Sequence, residues 1–219
     1  MPKQLQIDNK SIKIAVIGLG YVGLPLAIEF SKKYKTVGFD KNEERINQLR
    51  EGIDKTLEIS KGQLNKVEIN YSLQKKDIED CNIYIITVPT PVDKHNNPDM
   101  QPIAKASKMV GKLLNIGDIV IYESTVYPGA TEEFCVPILE TESKLSYGVE
   151  FTCGYSPERI NPGDKKHQLT TIIKVTSGSN EKTADFVDQL YKSIITAGTY
   201  KVSSIAVAEA CKVIENTQR

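Results

Sequence analysis

Glycines 18, 20 and 23 form a GxGxxG pattern inside KIAVIGLGYVGLP (13–25), and an aspartate, Asp40, follows 22 residues after the first of them. The residues before Gly18 read as a buried strand and those after Gly23 as a helix, so the glycines occupy a strand-to-helix turn. In that context the pattern binds a dinucleotide. Gly18 permits the tight turn, Gly20 lets the backbone approach a pyrophosphate, and Gly23 lets the helix pack on the strand. Leu19, Tyr21 and Val22 supply the amides between them, at a helix start that carries partial positive charge. Asp40 ends the next strand (VGFD) and is placed to accept ribose hydroxyls. A carboxylate there repels a 2′-phosphate, which favours NAD over NADP, with Lys41 the one neighbour that softens the discrimination. The alternative is a turn that needs small residues, with an incidental aspartate.

Three further groups could do chemistry. Thr90 in TVPTP (87–91) and Thr125 in ESTVYPG (123–129) follow two later strands, whose carboxyl ends open onto the crevice where such sheets bind ligands. Both also suit turn caps, the commoner use of a threonine there. Glu158, Arg159 and Asn161 lie on the proline-bounded loop SPERINPG (156–163). They form either a substrate clamp or, the reading favoured by residue type alone, a surface ion pair. Near the end of the chain Glu209, Lys212 and Asn216 share a helical pattern, with Lys212 and Asn216 at i,i+4 on one face; residue type alone makes that face solvated.

To position these groups the chain must build a sheet wrapped by helices. Short β-branched runs at 12–17, 36–40, 67–71, 82–88, 118–123, 150–153 and 172–176 alternate with helical patterns at 21–34, 42–51, 101–114, 129–141 and 180–194. The expected fold class is α/β: a Rossmann-type, doubly wound, mostly parallel sheet with helices on both faces. The apolar density of the runs implies strands buried on both sides. Residues 1–11 are expected to be a tail, 12–202 the dinucleotide-binding domain, and 203–219 a helix that starts at a serine cap and has no Gly or Pro stop, a connecting helix cut before a further domain.

Composition narrows the function. With 219 residues, 28 Lys plus Arg against 28 Asp plus Glu, and 40% hydrophobic residues, the chain has no excess of positive charge for nucleic acid or an anionic membrane. No apolar run approaches the ~18 residues needed to cross a bilayer, and the first 30 residues lack a signal-peptide pattern. Cys81, Cys135, Cys153 and Cys211 are too far apart to form a CxxC pair, so no metal site is expected, and they read as buried free thiols of a reducing cytosol.

Taken together GLGYVGLP, Asp40, VPTP, ESTVYPG, SPERINPG and AEACKVIENTQR (208–219) resemble the UDP-glucose/GDP-mannose dehydrogenase family from about residue 12 onward. The resemblance is strongest to the bacterial branch that oxidises UDP-N-acetylhexosamines for capsule and O-antigen polysaccharides. It implies a cytoplasmic, NAD-dependent enzyme that oxidises C6 of a UDP-sugar to the carboxylate in two steps and dimerises through the connecting helix. It places Gly18–Gly23, Asp40, Arg45, Thr90 and Thr125 around NAD. Glu158 becomes the carboxylate that orients or activates water with help from Thr125, and Lys212 with Asn216 stabilises the oxyanion. Arg159 and Asn161 join Glu158, Lys212 and Asn216 at the sugar. Two features depart from the family pattern: Pro162 stands where other members carry a second glutamate, and the Gly-rich motif of the catalytic cysteine is missing. The chain is thus expected to be an inactive cofactor half, the alternative being a standalone NAD-binding regulatory module.

Overall fold

The computed structural model describes residues 11–92, 94, 95, 98–159 and 169–218. Eight strands, β1 (Lys13–Ile17), β2 (Lys35–Phe39), β3 (Asn70–Ser72), β4 (Ile83–Ile86), β5 (Ile119–Tyr122), β6 (Thr152–Tyr155), β7 (Lys174–Gly178) and β8 (Thr199–Lys201), form one sheet in the order β3-β2-β1-β4-β5-β6-β7-β8. β1 to β6 are parallel, β7 runs antiparallel to β6, and β8 is parallel to β7. The helices are α1 (Gly23–Ser31), α2 (Glu43–Arg50), α3 (Lys61–Leu64), α4 (Gln101–Gly111), α5 (Val136–Ser143), α6 (Glu181–Lys192) and α7 (Ile205–Gln218).

Alternation along each strand divides the core in two. Ile14 and Val16 of β1, Ile83 and Ile85 of β4 and Ile119 and Ile121 of β5 pack with α1, α2 and α6 on one face. Ala15, Ile17, Tyr84, Ile86, Val120 and Tyr122 pack with α4, α5 and α7 on the other. Both faces are covered, which is why β1, β4 and β5 are almost wholly buried. The doubly wound class expected from the strand-helix alternation is the one observed. Strand order reverses between β1 and β4, and a crevice opens at their carboxyl ends, the usual ligand position.

Several boundaries differ from the sequence expectation. The third, sixth and seventh strands begin two or three residues later than expected, because pairing rather than apolar content sets their start: Gly154 faces Gly178 and Tyr155 faces Ser177 in the antiparallel pair. β8 was not expected, since an exposed edge strand of sequence TYK carries no apolar run; nor was the one-turn helix α3, which a Ser60–Gln63 capping box defines. The helix expected over 129–141 is a π turn at Thr131–Cys135 followed by α5. Pro137 enters the first turn of α5 and has no N–H to give, and the wide turn before it accommodates that loss.

Candidate active site

The glycine turn is built as its residues require. Gly18 has φ +95°, a conformation that favours glycine, and its N–H donates to Phe39 O of β2 at 2.8 Å. A Cβ on Gly23 would lie 1.9 Å from Gly18 O and 2.3 Å from Thr87 Oγ1, so only glycine fits where α1 meets the end of β4. Thr87 Oγ1 donates to Gly18 O at 2.7 Å. A Cβ on Gly20 would meet nothing within 4 Å. Gly20 therefore borders open space, and no side chain caps the start of α1 and no acidic residue stands in its first turn. That is an N-terminus open to a pyrophosphate.

Asp40 and Arg45 clasp the Leu19 peptide from both ends. Asp40 Oδ2 accepts the Leu19 N–H at 2.8 Å, while Arg45 Nε donates to Leu19 O at 2.8 Å. Asp40 Oδ1 also accepts the Asn42 N–H, and Asn42 caps α2 by accepting the Arg45 N–H, which places Arg45 in the first turn. Arg45 Nη1 lies 2.8 Å from Oδ1 of the buried Asp54. Burial alone would raise the pKa of Asp54, but hydrogen bonds from Thr56, Ile59 and Arg45 outweigh it and hold the carboxyl below its ordinary range. Next to this clasp, Leu19 and Val22 are buried and Tyr21 is 40% exposed.

Thr90 follows β4 with a buried Oγ1 that has no hydrogen-bond partner among the described residues. Such an atom calls for a ligand. Thr125 is exposed beyond β5, and Ser124 Oγ donates to Val88 O at 2.6 Å, joining the two strand ends.

Glu158, read by type as part of a surface pair, is 4% exposed. Lys212 Nζ reaches across from α7 and donates to the Glu158 main-chain carbonyl at 2.5 Å. The face of α7 is not solvated as residue type suggested: Glu209 is fully buried, accepting the Gly129 N–H at 2.6 Å, the Thr131 N–H at 2.9 Å and the Thr131 hydroxyl at 2.7 Å. Glu209 docks α7; Lys212, one turn on, faces the site. The Arg159 main-chain N–H donates to Glu158 Oε1 at 2.6 Å, while its guanidinium meets Glu215 at 3.2 Å and donates to Ile173 O at 3.1 Å. Asn161 and Pro162 lie outside the described residues, and of Asn216 only its place in α7 is described. The phenol of Tyr21 is held above its ordinary range by burial and then by Glu158 and Glu58, so Glu158 lies close enough to the glycine turn for its charge to be felt there.

Residue type alone missed the buried groups behind Glu158. Lys174 Nζ of β7 donates to Glu123 Oε2 at 2.6 Å and to Pro157 O at 2.9 Å, and lies 3.6 Å from Glu158 Oε2. Tyr191 of α6 donates to Glu123 Oε1. Burial pushes Glu123 up to about 7 even with Lys174 beside it; burial works against the Lys174 ammonium too, but Glu123 and Glu158 hold it above the ordinary lysine value. The available signal was a lysine inside IIKVT (172–176), since a charge in a buried strand requires a partner.

Cys81, Cys135 and Cys153 are buried, and burial pushes the first two up to about 11 and Cys153 well above its ordinary value. Thiols of that kind are inert. Cys211 is partly exposed, unlike the other three. No described helix is long and apolar enough to cross a membrane.

The description "UDP-glucose/GDP-mannose dehydrogenase family, NAD binding domain" matches residues 12–195. The chain is 60% identical over 211 residues to UDP-N-acetyl-D-glucosamine 6-dehydrogenase of Pseudomonas aeruginosa, covering 96% of this chain and 50% of that protein. It is 55% identical over 206 residues to Protein CapL of Staphylococcus aureus, covering 94% and 49%. The solved structure of a UDP-D-ManNAc dehydrogenase from Pyrococcus horikoshii superposes with a TM-score of 0.88 at 33% identity, covering 95% of this chain and 50% of that one. The chain thus spans about half the length of the curated relatives it matches. Open turn, ribose carboxylate and orphaned Thr90 hydroxyl all suit the cofactor that this match names, and the chain belongs to the UDP-glucose/GDP-mannose dehydrogenase family, as its NAD-binding domain.

Proposed function

We propose that this chain is the cofactor half of a cytoplasmic, NAD-dependent UDP-N-acetylhexosamine 6-dehydrogenase that supplies uronic acids for a bacterial surface polysaccharide, and that the whole protein is a homodimer joined through the helix begun by α7. The observation that carries this reading is the placement of Glu158, its carbonyl gripped by Lys212, near Tyr21 of the open glycine turn, in a chain 60% identical over 211 residues to a protein named UDP-N-acetyl-D-glucosamine 6-dehydrogenase. NAD, when bound, accepts a hydride from C6 in each of two oxidations.

The residues of this chain bind and orient. Gly20, Tyr21 and Val22 offer amides to the pyrophosphate; Gly18, Leu19 and Gly23 line the site by shaping the turn that presents them, because the Gly18 and Leu19 N–H groups already serve Phe39 O and Asp40. Asp40 takes the ribose hydroxyls, Thr90 and Thr125 lie at the neighbouring strand ends, and Arg45 holds the turn in shape. Glu158 aligns the water that hydrolyses a thioester formed on a cysteine of the other half, with Thr125 helping to hold it. Lys212, with Asn216 one turn further, faces the developing oxyanion, where a fixed cation has its largest effect. Arg159 and Asn161 follow Glu158 in the segment that meets the sugar, with Arg159 anchored through Glu215. None of the four cysteines lies in the Gly-rich motif that the family resemblance assigns to the nucleophile, so residues 1–219 alone should sustain no turnover.

Specificity constants of the full-length protein test the substrate class. UDP-N-acetylglucosamine or UDP-N-acetylgalactosamine should exceed UDP-glucose by about ten- to a hundredfold, the size expected when a buried donor loses its partner, ~1–3 kcal/mol. A clear preference for UDP-glucose would end the proposal.

A further inference from the structure

We propose that Lys174 is a positioning residue for Glu158: from β7 it holds both the main chain and the carboxylate of the 157–158 segment in the orientation that water activation needs. The inference rests on the reading of Glu158 given above and adds to it a residue that never touches the sugar or the cofactor.

The geometry is specific. One ammonium, its side chain 3% exposed, donates to Pro157 O at 2.9 Å and to Glu123 Oε2 at 2.6 Å, and stands 3.6 Å from Glu158 Oε2. Pro157 fixes the backbone just before Glu158, and Lys212 takes the next carbonyl at 2.5 Å. Two ammonium groups thus grip consecutive carbonyls, and Lys174 also faces both carboxylates. Glu123 in turn is fixed by Tyr191. Among the titratable groups that feel Glu158 are Lys174, Glu123, Tyr191 of α6, Tyr155 of β6 and Tyr21 of the glycine turn; Lys212 holds its main-chain carbonyl, and the Arg159 main-chain N–H donates to its Oε1 at 2.6 Å.

A buried ammonium between two carboxylates is an expensive way to stabilise a fold, since apolar residues of similar size serve as well or better. If Lys174 did no more than neutralise Glu123, removing both charges together would leave catalysis intact. If it positions Glu158, removing both would not, because the carboxylate loses its cation and its backbone anchor.

The decisive variant in the full-length enzyme is therefore E123Q/K174M, which leaves neither buried charge unpaired. The expected result is a normal burst of the first NADH with steady turnover at least tenfold lower. A covalent adduct visible by mass spectrometry should accumulate, the sign that hydrolysis and not the first hydride transfer has slowed. K174R, which keeps the charge, should restore most of the turnover. Should the double variant not fold, K174Q carries the same expectation, since its amide still donates but bears no charge. Steady turnover like that of the parent, with no adduct accumulating, in a folded variant lacking the Lys174 charge would overturn the role of Lys174. E158Q serves as the separate control: undiminished turnover there would overturn the reading of Glu158 itself.

Discussion

The Asp40 carboxylate accepts the Leu19 amide with one oxygen and the Asn42 amide with the other, and each oxygen retains a lone pair for a ribose hydroxyl. The same group therefore shapes the glycine turn and recognises the cofactor. Asp40→Ala should weaken NAD by about ten- to a hundredfold, the loss of hydrogen bonds to a charged group at ~1.5–3 kcal/mol, and narrow the preference for NAD over NADP. Calorimetric titration with both cofactors checks it, and unchanged NAD affinity would contradict it. Asp118, at the opposite end of β5, illustrates an ionisable group that serves the fold alone. Burial pushes it up to about 7, against a hydrogen bond from the Asn115 N–H. A carboxyl raised above its unfolded value of ~3.9 contributes stability that is full below that value and lost as pH rises through about 7. Asp118→Asn should thus gain on the parent by about 2–4 kcal/mol between pH 4 and pH 8 in urea unfolding; a difference independent of pH would refute it. At this scale legibility followed sequence separation. Gly18, Gly23 and Asp40 were readable because their partners lie within one βαβ unit. Lys174 was not, since its meaning depends on Glu123, 51 residues away and two strands across in the sheet.

Among the elements, α7 links the domain to its chemistry. It begins at Ser204, whose hydroxyl accepts the Val207 N–H, packs Ile205 and Ala208 into one core, and uses Glu209 to satisfy three donors at the Gly129–Thr131 turn before presenting Lys212 to Glu158. Glu209→Ala leaves those donors buried or watered and should destabilise the chain by about 2–5 kcal/mol, given ~1–3 kcal/mol per orphaned buried donor. A urea midpoint within experimental error of the parent would show that the dock is dispensable. The sequence showed this helix and its serine cap but assigned its charged face to solvent, because i,i+4 spacing says which residues share a face and not what that face meets. The same limit explains the late starts of β6 and β7, whose ends are set by each other.

For the whole molecule, the alternation of strands with helices was enough to anticipate a doubly wound sheet, and the position of the ligand crevice followed from that topology. What alternation cannot show is the antiparallel turn at β7, the strand that brings Lys174 behind Glu158. On the function proposed above, this domain is half of an enzyme that removes four electrons from C6 of one UDP-sugar, and the most direct test of that proposal is the stoichiometry of the full-length protein. With UDP-N-acetylglucosamine or its galactose epimer and excess NAD, two NADH should form per sugar consumed, the product being the uronic acid by mass spectrometry. One NADH per sugar with a released aldehyde, or no NADH with any UDP-sugar, would contradict the account.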